Sequence, residues 1–172
     1  MPSFASKLCL VVVLILSCVS QSYADIPAEH VIVQRVIRSA TAYAQSVACD
    51  TRPIHPRDVV ALVPYLRDDP GALARYAVLW VGDLGCSGGS HSTVTNLSIV
   101  QSGIAQTFQV DPRQSSPVIQ FVSPVRIIDR VVSHSEHALE VEGYALQSTD
   151  ASCCPSKRIR FKLTEDFNGN WR

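Results

Sequence analysis

Six cysteines constrain this chain more than any other feature. Cys9 and Cys18 fall inside an N-terminal export signal, and Cys49, Cys86, Cys153 and Cys154 fall in the remainder of the chain. Export into an oxidising compartment makes those four a disulfide framework rather than metal ligands or nucleophiles. The signal is read from Lys7 and the apolar residues 8–16, a run shorter than the roughly 20 residues a membrane-crossing helix needs. Ser22-Tyr23-Ala24 places small residues where a signal peptidase reads, so residues 1–24 are expected to be removed and residues 25–172 to form one globular domain. A lipid anchor at Cys18 is the alternative. It is less favoured, because Leu16 fits poorly two residues before a lipidated cysteine.

Charge narrows the partners. Fifteen basic and fifteen acidic residues balance in the whole chain, and losing Lys7 leaves the mature part slightly negative. Nothing electrostatic therefore favours nucleic acid or an anionic membrane. No later apolar stretch reaches membrane length, so no transmembrane span is expected. Arginine outnumbers lysine twelve to three, which suggests a GC-rich genome; with the short signal this points to a bacterial periplasm, or to secretion.

The mature part opens with a helical pattern. Over residues 27–48, Val33, Val36, Ile37, Ala40, Ala44 and Val47 recur at three- and four-residue spacing, and Pro27 suits the first turn. Arg52-Pro53-Ile54-His55-Pro56 cannot continue that helix and reads as a linker. Beyond the linker the pattern is mainly β. Strands are expected over 58–65 (with a short helix as the alternative), 74–81, 94–101, 107–110, 117–132, 138–147 and from Arg158 to Leu163. Turns are expected at 68–71, Ser102-Gly103 and Asn168-Gly169-Asn170. In the last strand Ile159, Phe161 and Leu163 alternate with Arg158, Arg160 and Lys162, the pattern of a sheet with one buried face. The expected fold is α+β, with one long N-terminal helix packed on a curved antiparallel meander sheet and stapled by disulfides.

Four cysteines allow three pairings. A Cys49–Cys86 bridge would tie the end of the helix to the sheet and leave Cys153 and Cys154 as a vicinal pair, which we read as a rigid turn before the last strand rather than a redox switch. No Cys-x-x-Cys spacing supports a thioredoxin-like activity.

Two motifs invite chemistry. Gly85-Cys86-Ser87-Gly88-Gly89 satisfies the nucleophile-elbow pattern, and Asp111 or Asp129 with His134 or His137 would complete a hydrolase triad in order. The residues after it nevertheless read as loop and strand rather than helix. His134-Ser135-Glu136-His137 places two imidazoles beside a carboxylate, but in a polar hairpin turn rather than on a helix where a metal would be gripped. Neither carries an enzymatic assignment, so no catalytic residue, cofactor or metal is expected. Arg158, Arg160 and Lys162 form a basic stripe without the interleaved aromatics of a nucleic-acid surface.

The segment Asp150-Ala151-Ser152-Cys153-Cys154-Pro155-Ser156, its basic-apolar strand and the Gly-Asn-Trp ending resemble small exported bacterial proteins, nearest to lipoproteins of the LppP/LprE kind. The Trp80 strand leading to Cys86 and Gly88-Gly89 shares that resemblance. It implies an envelope location and no particular activity. The functional expectation is a periplasmic binding protein that engages another envelope or secreted protein as an inhibitor, immunity or assembly accessory. Ser87, His91, His134, His137 and an exposed Trp171 are its candidate contacts. The alternatives are a small apolar-ligand carrier with a cavity lined by Trp80, Phe108 and Phe121, and a hydrolase using Ser87.

Overall fold

The computed structural model describes residues 27–65, 73–86, 93–151 and 154–172. The export signal, the turn expected at 68–71, Ser87, His91 and Cys153 lie outside the described residues.

Helix α1 spans Glu29–Val47, with Glu29 in the first turn, where the helix dipole favours a negative charge. Ile32, Val36, Ala40 and Ala44 are its buried stripe, one residue every four. The stripe is rotated slightly from the expected one: Ile32 joins it, while Val33, Ile37 and Val47 sit half-buried on its flanks.

Strands β1 (Val59–Val63), β2 (Arg75–Gly82), β3 (Val94–Ser102) and β4 (Phe108–Asp111) form one antiparallel sheet. Strands β5 (Ile128–Ser135), β6 (Ala138–Ala145) and β7 (Lys157–Thr164) form a second; each sheet takes its strands in chain order. The α+β class holds, but the expected single meander is two. The reason is visible in β2, whose Tyr-Ala-Val-Leu-Trp-Val run is apolar at every position, as a strand covered on both faces requires. Its even residues, Tyr76 and Val78, pack with Val100 and Phe108 beneath α1. Its odd residues, Ala77 and Leu79, pack with Leu97 and Ile99 against Leu139, Val141 and Leu163 of the second sheet. The molecule is thus layered as helix, four-stranded sheet and three-stranded sheet.

Residues 117–132 depart furthest from expectation. Pro117 and Pro124 remove backbone donors, and strand structure starts only at Ile128. The irregular segment stitches the layers instead: Thr95 N–H donates to Arg126 O (2.7 Å), and Ile128 N–H donates to Thr95 Oγ1 (2.9 Å). At 58–65 a 3-10 turn, Pro56–Asp58, leads into β1, so the preferred strand forms there.

Cys49 and Cys86 are bridged, tying the end of α1 to the end of β2. Cys154 is also disulfide-bonded. Trp171, expected as an exposed contact, is the largest completely buried side chain among the described residues. Its backbone explains why: Trp171 N–H donates to Gln120 O and its carbonyl accepts from Val122 N–H, both at 2.9 Å, while Arg172 and Thr164 exchange two hydrogen bonds. The chain's last residues are therefore wedged between β7 and residues 120–122, and the indole is driven inward among Ile119, Leu139 and Leu163. No helix among the described residues is long and apolar enough to cross a membrane.

Candidate functional site

A groove of about 620 Å³ opens where the start of β2 meets the end of β7. At its base Arg75, from the first sheet, forms a two-pronged ion pair with Glu165, the residue after the last strand of the second. One prong is Nη1 to Oε2 at 2.9 Å, the other Nη2 to Oε1. The pair is largely withdrawn from water, with side-chain exposures of 13% and 7%. His137, in the β5–β6 hairpin, brings Nδ1 to 2.9 Å from Glu165 Oε2, and Arg75 also donates to Gln114 Oε1 at 3.2 Å. Burial pushes the Glu165 carboxyl up, but hydrogen bonds from Arg75 and His137 outweigh it and hold its pKa below the ordinary glutamate value.

That depression fixes a sign. Glu165 contributes its full stabilisation above the unfolded glutamate pKa, near 4.3, and loses it as pH falls through the lower folded value. Glu165→Gln leaves Arg75 without its counter-charge and is expected to cost about 2 kcal/mol at pH 7. In urea titrations that gap from the parent should narrow below about pH 4. A gap unchanged down to about pH 2.5 would mean that the carboxylate's charge does not contribute.

The rim of the groove is a turn built around Asp166. Its Oδ1 accepts the backbone N–H of Asn168 (2.9 Å) and of Asn170 (3.0 Å), and its Oδ2 holds the Arg172 guanidinium. Gly169 N–H closes the turn onto Asp166 O, and Gly169 adopts φ +80°, the left-handed geometry that favours glycine. Burial raises the Asp166 pKa, but the two backbone donors and its side-chain partners overcome this and lower it. The turn is thus pinned at several points, and its tip is Phe167, 96% exposed. A large apolar ring held in water by a rigid turn is the arrangement expected of an anchor for another surface.

Sequence reasoning marks the Asn168-Gly169-Asn170 turn but not the phenylalanine beside it. An aromatic between turn-forming polar residues is the available signal. Arg75 and Glu165, 90 residues apart, give none. Of the expected contacts, His137 belongs to this groove; His134 is exposed on β5; Trp171 lies beneath the surface. The expected cavity does not assemble. Phe108 packs with Tyr76 (ring centroids 5.9 Å apart) on the helix side of the first sheet, whereas Phe121 packs on the side facing the second. The Ser87 motif begins just after β2 with Gly85 and with Cys86, which is oxidised to Cys49; Ser87 and the residues that follow it to 92 lie outside the described residues. No group of three or more His, Cys, Asp or Glu side chains among the described residues is arranged to hold a metal.

A second cleft, of about 390 Å³, runs between the 3-10 turn and β5, with Arg52, His55, Arg57, Asp129, Arg130 and Tyr144 on its walls. Its charges are mixed and partly spent: Arg130 is bound to Glu142 at 2.8 Å, and Asp58 caps its own turn through the His55 N–H at 2.7 Å.

The chain matches no family model, no curated protein and no solved structure.

Proposed function

We propose that this protein is an exported, disulfide-stabilised interaction domain of the bacterial envelope, without catalytic activity, that grips another envelope or secreted protein through the surface around Phe167. The observation that carries the reading is the exposed phenylalanine on a turn fixed by Asp166. A loop that has already lost its conformational freedom loses little more on binding, so the ring's burial converts efficiently into affinity. The oxidised Cys49–Cys86 pair supports an extracytoplasmic setting, as do the signal pattern of residues 1–24 and the LppP/LprE-like segment.

The test places a photo-crosslinking amino acid at position 167 of the full chain in cells, with the exposed helix position Gln45 as control. Light-dependent adducts to one discrete protein are expected from position 167 and not from position 45. Recovery of the unmodified monomer from both would end the proposal. Phe167→Ser is expected to leave thermal stability within about 2 °C of the parent, as exposed substitutions do. The same change should weaken partner retention by at least about tenfold, the scale of a hot-spot loss.

A further inference from the structure

We infer that the outer edge of β7 accepts an extended partner segment in which acidic and apolar residues alternate; this rests on the interaction reading above and names the chemistry of the partner. Arg172 and Thr164 exchange both backbone hydrogen bonds on the side of β7 away from β6. Thr164 is therefore an outward-bonding residue, and outward bonding recurs at every second position of an antiparallel strand. The β6–β7 register runs unbroken from Ala138↔Thr164 to Ala145↔Lys157. The N–H and C=O groups of Lys162, Arg160 and Arg158 consequently point out of the sheet in line with those already taken by Arg172. Among the described residues no backbone group pairs with them.

The side chains state what fits. Arg158, Arg160 and Lys162 lie on the solvent face; the intramolecular partners of the two arginines, Glu142 and Glu140, stand one strand inboard on β6. An incoming strand would have only cations beside it on that face. On the other face it would meet Ile159 and Phe161, which are half-buried although they point toward the core. Directly opposed unlike charges stabilise a strand pair and like charges destabilise it. A second copy of β7, running antiparallel, would set cation against cation, so the edge disfavours self-pairing. Acidic residues opposite Arg158, Arg160 and Lys162, with apolar residues between them, satisfy both faces, and backbone pairing supplies the affinity common to added strands.

The experiment uses the full oxidised chain and the fluorescent peptide Glu-Val-Glu-Ile-Glu-Val-Glu, read by anisotropy. The acidic residues of this peptide carry the N–H groups that face β7. N-methylation of the glutamates is therefore expected to abolish binding, while N-methylation of the valines and isoleucine is tolerated. The same peptide with lysine for glutamate should bind at least about tenfold more weakly. Lys162→Pro removes an outward donor and no β6–β7 hydrogen bond, and should lower affinity at least about tenfold. Should that variant fold poorly, Lys162→Glu keeps the donor and is expected to weaken the acidic peptide about fivefold while strengthening the basic one. Equal binding of both peptides, indifference to where methyl groups sit, or no binding at the solubility limit would each overturn the proposal. Crosslinks at position 167 without any edge binding would sink this inference and leave the interaction reading standing. Edge binding without crosslinks would do the reverse to Phe167.

Discussion

Trp171→Ala is expected to destabilise the fold by about 3–5 kcal/mol, the range for emptying a buried aromatic site, and to lower the urea midpoint by about 2 M. The indole is completely buried and belongs to the core between the two sheets, with Leu139, Val141 and Leu163. Its backbone is held on both sides, so the surroundings cannot collapse into the space. The loss is a large share of the roughly 5–15 kcal/mol that keeps a domain folded. It also bears on binding, because Trp171 comes directly after the turn that presents Phe167, and its hydrogen bonds with residues 120–122 fix the outgoing end of that turn. Among the described residues Trp171 Nε1 has no hydrogen-bond partner despite its burial. Trp171→Phe removes that orphaned donor along with part of the ring, and the two effects oppose each other. It should therefore cost less than about 1.5 kcal/mol. A Phe variant as unstable as the Ala variant would show that the indole N–H is satisfied after all.

Trp171 also marks the boundary of what the sequence reveals. Helix α1, the alternation in β7 and the Cys49–Cys86 bridge are legible because each arises from local periodicity or from a small set of pairings. The basic stripe of β7 reads as a solvated face, and it is one: Arg158 and Arg160 pair across the strand with Glu142 and Glu140. The carboxyls of Glu140 and Glu142 lie below their ordinary range, held there first by hydrogen bonds from Arg160 and from Arg130 respectively. The second sheet is less legible, since the apolar run of β2 demands cover on two faces without saying what supplies the second. Residues 117–132 mislead because valine and isoleucine favour strands while proline forbids their interior pairing, and the prolines prevail. A tryptophan one residue from the end of the sequence looks exposed by position alone. Only the long-range pairing with residues 120–122 draws it inside, as only long-range pairing brings Arg75 to Glu165.

Replacing both Cys49 and Cys86 by serine is expected to cost about 4 kcal/mol, since the bond closes a loop across a separation of 37 residues and loop-closure entropy at that length has this size. The double variant isolates this bond. Reductant on the parent chain would also open the disulfide at Cys154. The folded state should change little, because the same junction is held by backbone pairing: Cys49 N–H donates to Asp83 O, Asp83 N–H to Asp50 O, and Arg52 N–H to Val81 O, all near 3 Å. Gly82 makes that approach feasible, since a Cβ there would lie 2.6 Å from the Trp80 ring and 2.8 Å from Asp50 O. If the bond acts on the unfolded chain, amide exchange in the folded variant will still protect the Cys49→Ser position and the last turn of α1, while the urea midpoint falls. Melting of that turn in native buffer would mean instead that the bond holds the helix end in place. A loss below about 1 kcal/mol would contradict both accounts. Either of the larger outcomes makes the oxidised state a condition for durable folding, which ties the stability of the chain to the redox chemistry of the compartment it occupies.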